Sequence, residues 1–164
     1  IGDARTNGCR ELMAIEFPWL IEAFGKITDV QVTKRKLTTL QTNYNDCVQL
    51  LLTHENGNIG SVCIDVVSRK AVRLFELIGE DVYLTWSGTP DSLTEYDTEK
   101  KCSVDIDLTE SVEQQDGYAA FVVENAYTNE LQAFIYAIQI GINTQYGFKE
   151  DYDTIMVIDE IEAK

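Results

Sequence analysis

Basic residues are scarce in this sequence. Its 164 residues include 13 Lys and Arg against 28 Asp and Glu, which gives a formal net charge of −15. Proteins that bind nucleic acid neutralise phosphates with Lys and Arg on one face, and anionic lipid attracts the same residues. The one basic run, Lys34-Arg35-Lys36, is short and lies in a strand-like stretch. The composition therefore argues against nucleic acid and membrane surfaces as partners.

Metal-ligand patterns and long apolar runs are also missing. The chain has one histidine, His54, and four cysteines, of which no two are spaced C-x-x-C, so a zinc site is not expected. We expect Cys47, Cys63 and Cys102 to be small buried residues of strands in a reducing, cytoplasmic protein. No run approaches the ~20 apolar residues that a membrane span needs, and no leader is visible. The first residue, Ile1, suggests a piece of a longer protein.

Motifs of nucleotide binding and nucleophilic catalysis are absent as well. The sequence contains no G-x-G-x-x-G, no G-x-x-x-x-G-K-[ST] and no G-x-S-x-G. A catalytic site built on histidine would have to use His54, which precedes a turn sequence and is expected to be solvated. The paired acids Asp105 and Asp107 share one face of a strand, and we interpret them as an outward polar face rather than a glycosidase pair.

Hydrophobic periodicity predicts a helix over residues 11–24, which Pro18 should kink or interrupt and Gly25 should end. Alternating apolar residues then predict β-strands from about residue 27 to 108, with a hairpin at Asn56-Gly57. The short links between these strands favour antiparallel pairing.

Two further helices follow the strands. The first has an apolar stripe that could cover one side of the sheet, and the second, from about residue 150, has a similar face. The stripe comprises Tyr127, Leu131, Phe134, Ile135 and Ile138, and the second face comprises Ile155, Ile158 and Ile161. The sequence thus predicts one α+β domain over residues 1–164, a mostly antiparallel open sheet of about six strands with helices packed on one face.

Three stretches, in order, resemble the C-terminal domain of the Gfo/Idh/MocA (glucose–fructose oxidoreductase / inositol dehydrogenase) family. They are residues 11–25 (ELMAIEFPWLIEAFG), residues 51–86 with LLTHENGNIG followed by FELIGEDVYLTW, and residues 124–138 (ENAYTNELQAFIYAI). The resemblance covers nearly the whole chain. It implies a sheet like that of the C-terminal domain of dihydrodipicolinate reductase, with helices on one face and an oligomer interface on the other.

The resemblance also implies that the two domains of such an oxidoreductase have different roles. In this family an N-terminal Rossmann domain binds NAD or NADP and carries the catalytic lysine, and the C-terminal domain contacts a sugar, cyclitol or sugar derivative. Neither the Rossmann fingerprint nor the Glu-Lys-Pro motif occurs in this sequence. We therefore expect the chain to be the substrate-binding and oligomerisation domain of such an oxidoreductase, to have its own Rossmann domain as a partner, and to bind no cofactor by itself.

The chain departs from the family at one site. Members usually carry a His and, three or four residues later, an Asp on the helix before Phe-Gly, and those places fall here on Ile15 and Pro18 or, one residue later, on Glu16 and Trp19. A proton acceptor is needed to oxidise a carbinol. We predict that Glu16 is the catalytic group and that Glu16 and Trp19 bind substrate. Local pattern alone favours the other interpretation, in which Phe17 and Trp19 belong to the core and Glu16 is solvated.

Two other hypotheses stay open. The missing His–Asp pair is compatible with a non-catalytic relative that serves as a binding or assembly module, and the chain could also be an unrelated α+β binding domain. For assembly, apolar residues recur on the strand faces that the helices should leave uncovered, and an apolar patch of that size predicts a two-fold dimer. The residues are Leu51, Cys63, Val67, Phe75 and Leu77.

Overall fold

The computed structural model describes residues 8–107, 124–144 and 146–164. Three helices and seven strands lie in these ranges. They are α1 (Cys9–Phe24), β1 (Ile27–Arg35), β2 (Cys47–His54), β3 (Ile59–Asp65), β4 (Phe75–Ile78), β5 (Tyr83–Trp86), β6 (Thr94–Asp97), β7 (Cys102–Asp105), α2 (Glu124–Ile140) and α3 (Phe148–Ala163).

The chain divides into two compact units, Ile1–Arg69 with Gln145–Lys164, and Lys70–Thr144. The first unit contains α1, α3 and the three-stranded sheet β1-β2-β3, and the second contains α2 and the four-stranded sheet β4-β5-β6-β7. All strand pairs are antiparallel. The α+β class and the antiparallel pairing are thus confirmed, with seven strands in two sheets where about six in one were expected. That residues 1–164 form a single domain stays a prediction.

Helix α1 begins two residues before the predicted start and ends at Phe24 as predicted. Gly25 closes it with φ 85°, and its N–H donates to the Ile21 carbonyl at 3.0 Å. Pro18 does not interrupt the helix, because α1 is continuous through this residue, and a kink there stays a prediction. Proline removes one backbone hydrogen bond, but Met13 and Phe17 are both fully buried and their packing on the first unit holds this part of α1 in place.

The hairpin β2–β3 supplies one wall of the core. At its turn, Gly57 has φ 89° and the His54 N–H donates to the Asn58 carbonyl at 2.8 Å, as the Asn-Gly sequence predicts. The alternate residues Val48, Leu50 and Leu52 are buried. Because side chains alternate between the faces of a strand, the other face of this sheet points outward.

The core of the first unit lies between this sheet and the helices α1 and α3, which contact each other. Ile158 and Ile161 are buried and Ile155 is partly buried, so the predicted face of α3 is confirmed. Each fully buried side chain of this size contributes about 1.5–3 kcal/mol relative to exposure. At the start of α3, the Glu150 carboxylate accepts the Gly147 N–H at 3.0 Å, which satisfies one donor before the first turn.

Helix α2 differs from the prediction. It forms, and Gly141 ends it with φ 70°. However, the predicted stripe does not cover a sheet, because its five side chains are 51–65 % exposed: Tyr127, Leu131, Phe134, Ile135 and Ile138. The periodicity of a helix locates its apolar face, but it carries no information on which surface, if any, covers that face.

The prediction for the cysteines is also wrong. Cys63 and Cys102 are exposed and Cys47 is half-buried, whereas Cys9 is buried and its thiol contacts the Ile64 carbonyl at 3.5 Å. A strand places alternate residues on opposite faces, and Cys63 occupies the outward position next to buried Ile64. All four thiols are free.

Candidate functional site

The structure brings Glu16 and Trp19 together on α1. The Trp19 indole N–H donates to Glu16 Oε2 at 2.7 Å, as residues three apart on a helix can. Both side chains are half-buried, and Phe17 between them is fully buried in the core. The indole therefore holds the carboxylate in one orientation at the edge of the first unit.

This pair has the chemistry that the predicted site requires. A carboxylate can take or return a proton, and a bond from an N–H to a charged oxygen is among the stronger hydrogen bonds in proteins. In the other alignment with the family, the two places fall on Ile15, which is 55 % exposed, and on Pro18. Neither side chain can exchange a proton. Among the two registers, only the one with Glu16 supplies an acid–base group.

The other carboxylates named from the sequence lie in plainly different settings. Glu11 is exposed in the first turn of α1, where an acid suits the helix dipole, and Glu22 is exposed near the other end. Asp105 and Asp107 are exposed too, as expected for an outward polar face.

The expectation for His54 is wrong, because this residue is buried, with 4 % of its surface exposed. Its Nδ1 lies 2.7 Å from the Gly25 carbonyl, so the ring N–H donates there, and the ring meets Phe24 edge-on. His54 continues the inward positions of Leu50 and Leu52 on β2. Strand parity could therefore have shown that it faces the core, where it ties β2 to the end of α1.

A groove of about 230 Å³ lies near the start of α1, beside the end of α3 and the loop between β1 and β2. Its cations already have partners. Arg10 pairs with Asp159 at 2.8 Å and with Glu162, and the Lys34 ammonium binds the carbonyls of Ile161 and Glu162. Lys34 thus caps the carboxyl end of α3, where a cation is favourable, and the basic run seen in the sequence is explained by packing rather than by an anionic partner.

Sequence reasoning missed Asp46, a fully buried carboxylate in this loop region. It accepts the Leu37 N–H at 2.6 Å, the Thr38 N–H at 3.0 Å and the Thr38 hydroxyl at 2.6 Å, and the Lys36 ammonium lies 3.9 Å away. These donors hold the pKa of Asp46 below its ordinary value, although desolvation opposes them. The residue organises the loop and is not positioned for chemistry; no pattern of the sequence separates it from a solvated Asp.

The described residues offer no cluster of metal ligands, and the first turns of α1 and α3 are acidic. No group of three or more His, Cys, Asp or Glu among them could hold a metal. A pyrophosphate is usually bound by a helix N-terminus after a glycine-rich turn. Here the first turn of α1 carries Glu11 and that of α3 carries Glu150 and Asp151, whose charges would repel it. Within the same residues, no helix is long and apolar enough to cross a membrane.

Comparison with known proteins gives one kind of match. No family model and no curated protein sequence matches the chain. Among solved structures, levoglucosan dehydrogenase in complex with NADH matches with a TM-score of 0.76 and 15% identity over 96% of this chain and 48% of that one. UDP-N-acetylglucosamine 3-dehydrogenase from Acidithiobacillus ferrooxidans matches with a TM-score of 0.72 and 16% identity over 98% of this chain and 49% of that one. Biliverdin reductase from Synechocystis, in complex with biliverdin and NADP+, matches with a TM-score of 0.69 and 14% identity over 92% of this chain and 44% of that one.

The chain therefore spans about half the length of each of these oxidoreductases, and nearly all of it takes part in the match. At such low identity the likeness concerns the fold. The chain has the fold of about half of each of these oxidoreductases, consistent with the C-terminal domain of the Gfo/Idh/MocA type that the three sequence stretches resemble. The match in fold favours this resemblance over an unrelated α+β domain.

Proposed function

We propose that the chain is the substrate-binding and oligomerising domain of an NAD(P)-dependent oxidoreductase of the Gfo/Idh/MocA type, acting on a sugar, a cyclitol or a sugar derivative. The observation that carries the proposal is the match of nearly the whole chain to about half of each neighbouring oxidoreductase. Two of those neighbours are named for sugar-related substrates, and one of them holds NADH.

In this proposal, Glu16 and Trp19 line the substrate pocket. When a carbinol is oxidised, its carbon loses a hydride to the nicotinamide and its hydroxyl loses a proton. The Glu16 carboxylate accepts that proton, and the Trp19 indole N–H, 2.7 Å from Oε2, keeps the carboxylate oriented. Trp19 also offers an apolar ring face for the substrate.

The cofactor belongs to the part of the oxidoreductase that this chain lacks. The acidic first turns of α1 and α3 support this assignment, because they disfavour a pyrophosphate. The chain's own Rossmann domain is then its partner within one protein, residues 1–164 act as a single domain, and a cytoplasmic location agrees with the four free thiols.

The test is Glu16→Gln in the longer oxidoreductase, since this change removes the proton acceptor and keeps the shape. Turnover should fall by about 100-fold or more while the protein stays folded. Glu11→Gln is the matched control, because it changes an exposed carboxylate of the same helix and should leave turnover within about twofold. Unchanged turnover in Glu16→Gln would end the acid–base role.

We also propose a two-fold dimer through the outer face of the sheet β1-β2-β3. Leu51 and Cys63 share this face on β2–β3, where Leu51 is 55 % exposed. Phe75 and Leu77, in the second unit, lie on the less exposed face of β4. Light scattering at tens of micromolar protein should give twice the monomer mass. Leu51→Lys should lower that mass, and a monomer in the unchanged protein would contradict the dimer.

A non-catalytic binding or assembly module is the second candidate. It is favoured by the alignment that puts Ile15 and Pro18 at the family's places for the acid–base pair, because neither side chain can exchange a proton. The sequence upstream of this chain distinguishes the two. A glycine-rich fingerprint followed by Glu-Lys-Pro supports the enzyme, and the absence of both supports the module.

A further inference from the structure

Cys47 and Cys63 lie on neighbouring strands and on the same face of the first sheet. The register pairs Cys47 with Asp65 and Gln49 with Cys63. Residues directly opposite each other share a face, so the two thiols occupy diagonal positions on the outer face, away from buried Val48.

The hydrogen-bond pattern brings this diagonal close. The His54 N–H donates to the Asn58 carbonyl, and the Val66 N–H donates to the Asp46 carbonyl. Hydrogen-bonded and non-hydrogen-bonded pairs alternate along an antiparallel ladder, so both cysteines belong to non-hydrogen-bonded pairs, whose side chains lie closer together. Cys47 and Cys63 are therefore diagonal neighbours on the outer face, and each belongs to a pair of the closer kind.

The two thiols differ in access. Cys63 is exposed and Cys47 is half-buried. Burial raises the pKa of Cys47, and the neighbouring Cys63 and Asp65 raise it further. Cys63 is therefore the thiol that reacts first with a reagent in solution, and Cys47 is positioned to attack the sulfur of the modified Cys63.

We propose that Cys47 and Cys63 form a reversible modification site that low-molecular-weight disulfides, such as oxidised glutathione, convert to an intramolecular disulfide. The Cys63 thiolate attacks one sulfur of the small disulfide and releases one thiol. The sulfur of Cys47 then attacks Cys63 and releases the second. The protein loses two electrons and two protons, and both are found in the two small thiols. This site does not depend on the proposed oxidation of a substrate, but it is accessible only in the monomer, because the proposed dimer would cover Cys63.

The geometry makes the bond labile rather than permanent. Disulfides usually join Cα atoms 4.4–6.8 Å apart, whereas diagonal positions are about 7–8 Å apart, so β2 and β3 must draw together. Strained and exposed disulfides are the easily reduced ones. The pair is thus suited to switching with the thiol–disulfide balance around the protein.

The test treats the 164-residue chain with oxidised glutathione and then counts thiols after unfolding. The chain carries Cys102→Ser, because Cys102 is exposed and would itself retain glutathione. The count should fall from three free cysteines to one, with no glutathione retained, and dithiothreitol should restore it. Peptide mapping should join Cys47 to Cys63. The reaction is run at a dilution where light scattering gives the monomer mass, because a dimer through the outer face would cover Cys63.

Further substitutions, each made in the Cys102→Ser chain, separate the roles. Cys47→Ser should keep one glutathione on Cys63, and Cys63→Ser should react roughly tenfold more slowly than Cys102→Ser alone. The unchanged chain is the control, since it should lose the same two thiols and also carry one glutathione on exposed Cys102. The proposal is overturned by a bond mapped to Cys9, by a disulfide between two chains, by glutathione retained on Cys63 in the Cys102→Ser chain, or by no loss of thiols.

Discussion

Replacing Phe17 with alanine should strongly destabilise the first unit. Phe17 is fully buried in the core with Met13 and Ile158, so its removal loses transfer free energy and leaves a cavity that the sheet β1–β3 can fill only in part. Losses for such substitutions are about 3–5 kcal/mol. In a chain of this length, each kcal/mol lowers the melting temperature by about 2–4 °C, so a decrease of roughly 10 °C is expected.

The assay is urea unfolding followed by the fluorescence of Trp19, in a background in which Trp86 is changed to Phe. Trp19 lies in the first unit and Trp86 in the second, so the remaining signal reports the unit that Phe17 stabilises. The midpoint should fall while the slope of the transition stays the same.

Ile15→Ala is the matched control, since it shortens an apolar side chain of the same helix that is 55 % exposed. It should change the free energy of unfolding by no more than about 0.5 kcal/mol. If Phe17→Ala cost less than about 1 kcal/mol, or no more than Ile15→Ala, then Phe17 would not anchor α1 on the sheet. The position of Glu16 at the edge of the first unit would then have no structural explanation.

Three other predictions follow from the structure. Because the pKa of Asp46 is lowered in the folded chain, its stabilising effect is present above the pKa it has in the unfolded chain and is lost as pH falls through its folded pKa. Between neutral pH and pH 3, the urea midpoint should therefore fall less in Asp46→Asn than in the unchanged chain. Equal decreases in the two proteins would contradict this. If residues 1–164 are one domain, the single-tryptophan variants Trp19→Phe and Trp86→Phe should give coincident unfolding curves, and two separate midpoints would show two domains. Calorimetry of the isolated chain with millimolar NADH should give no saturable heat, and micromolar binding would refute the assignment of the cofactor to the missing half.

Sequence periodicity predicted local structure well and the environment of the elements less well. The Asn56-Gly57 turn, the end of α1 at Gly25 and the buried face of α3 each depend on a few neighbouring residues, and all three are confirmed. The apolar stripe of α2 is a correct helix pattern, yet the side chains are exposed, because the surface that covers a helix lies far away in sequence.

The errors at His54 and Cys63 have one physical origin. Both residues were judged by their type: a polar histidine beside a turn was placed in solvent, and a cysteine in a strand was placed in the core. The position of a residue along the strand determines which face of the sheet its side chain lies on. His54 has the parity of buried Leu52, and Cys63 has the opposite parity to buried Ile64. Asp46 differs from both, since its burial depends on donors from a loop that no local pattern predicts.

The segment from Glu16 to Trp19 could be interpreted from sequence as a pocket or as core, and helix geometry shows that the two interpretations are compatible. Successive helical residues are rotated by about 100°, so Glu16 and Trp19 lie only about 60° apart around the axis and both point away from Phe17. Burial of Phe17 therefore fixes the helix with Glu16 and Trp19 side by side at its half-buried margin, where their hydrogen bond forms. The same apolar residue that makes the segment look like core thus sets the position of the carboxylate to which we assign the proton transfer in the proposed function.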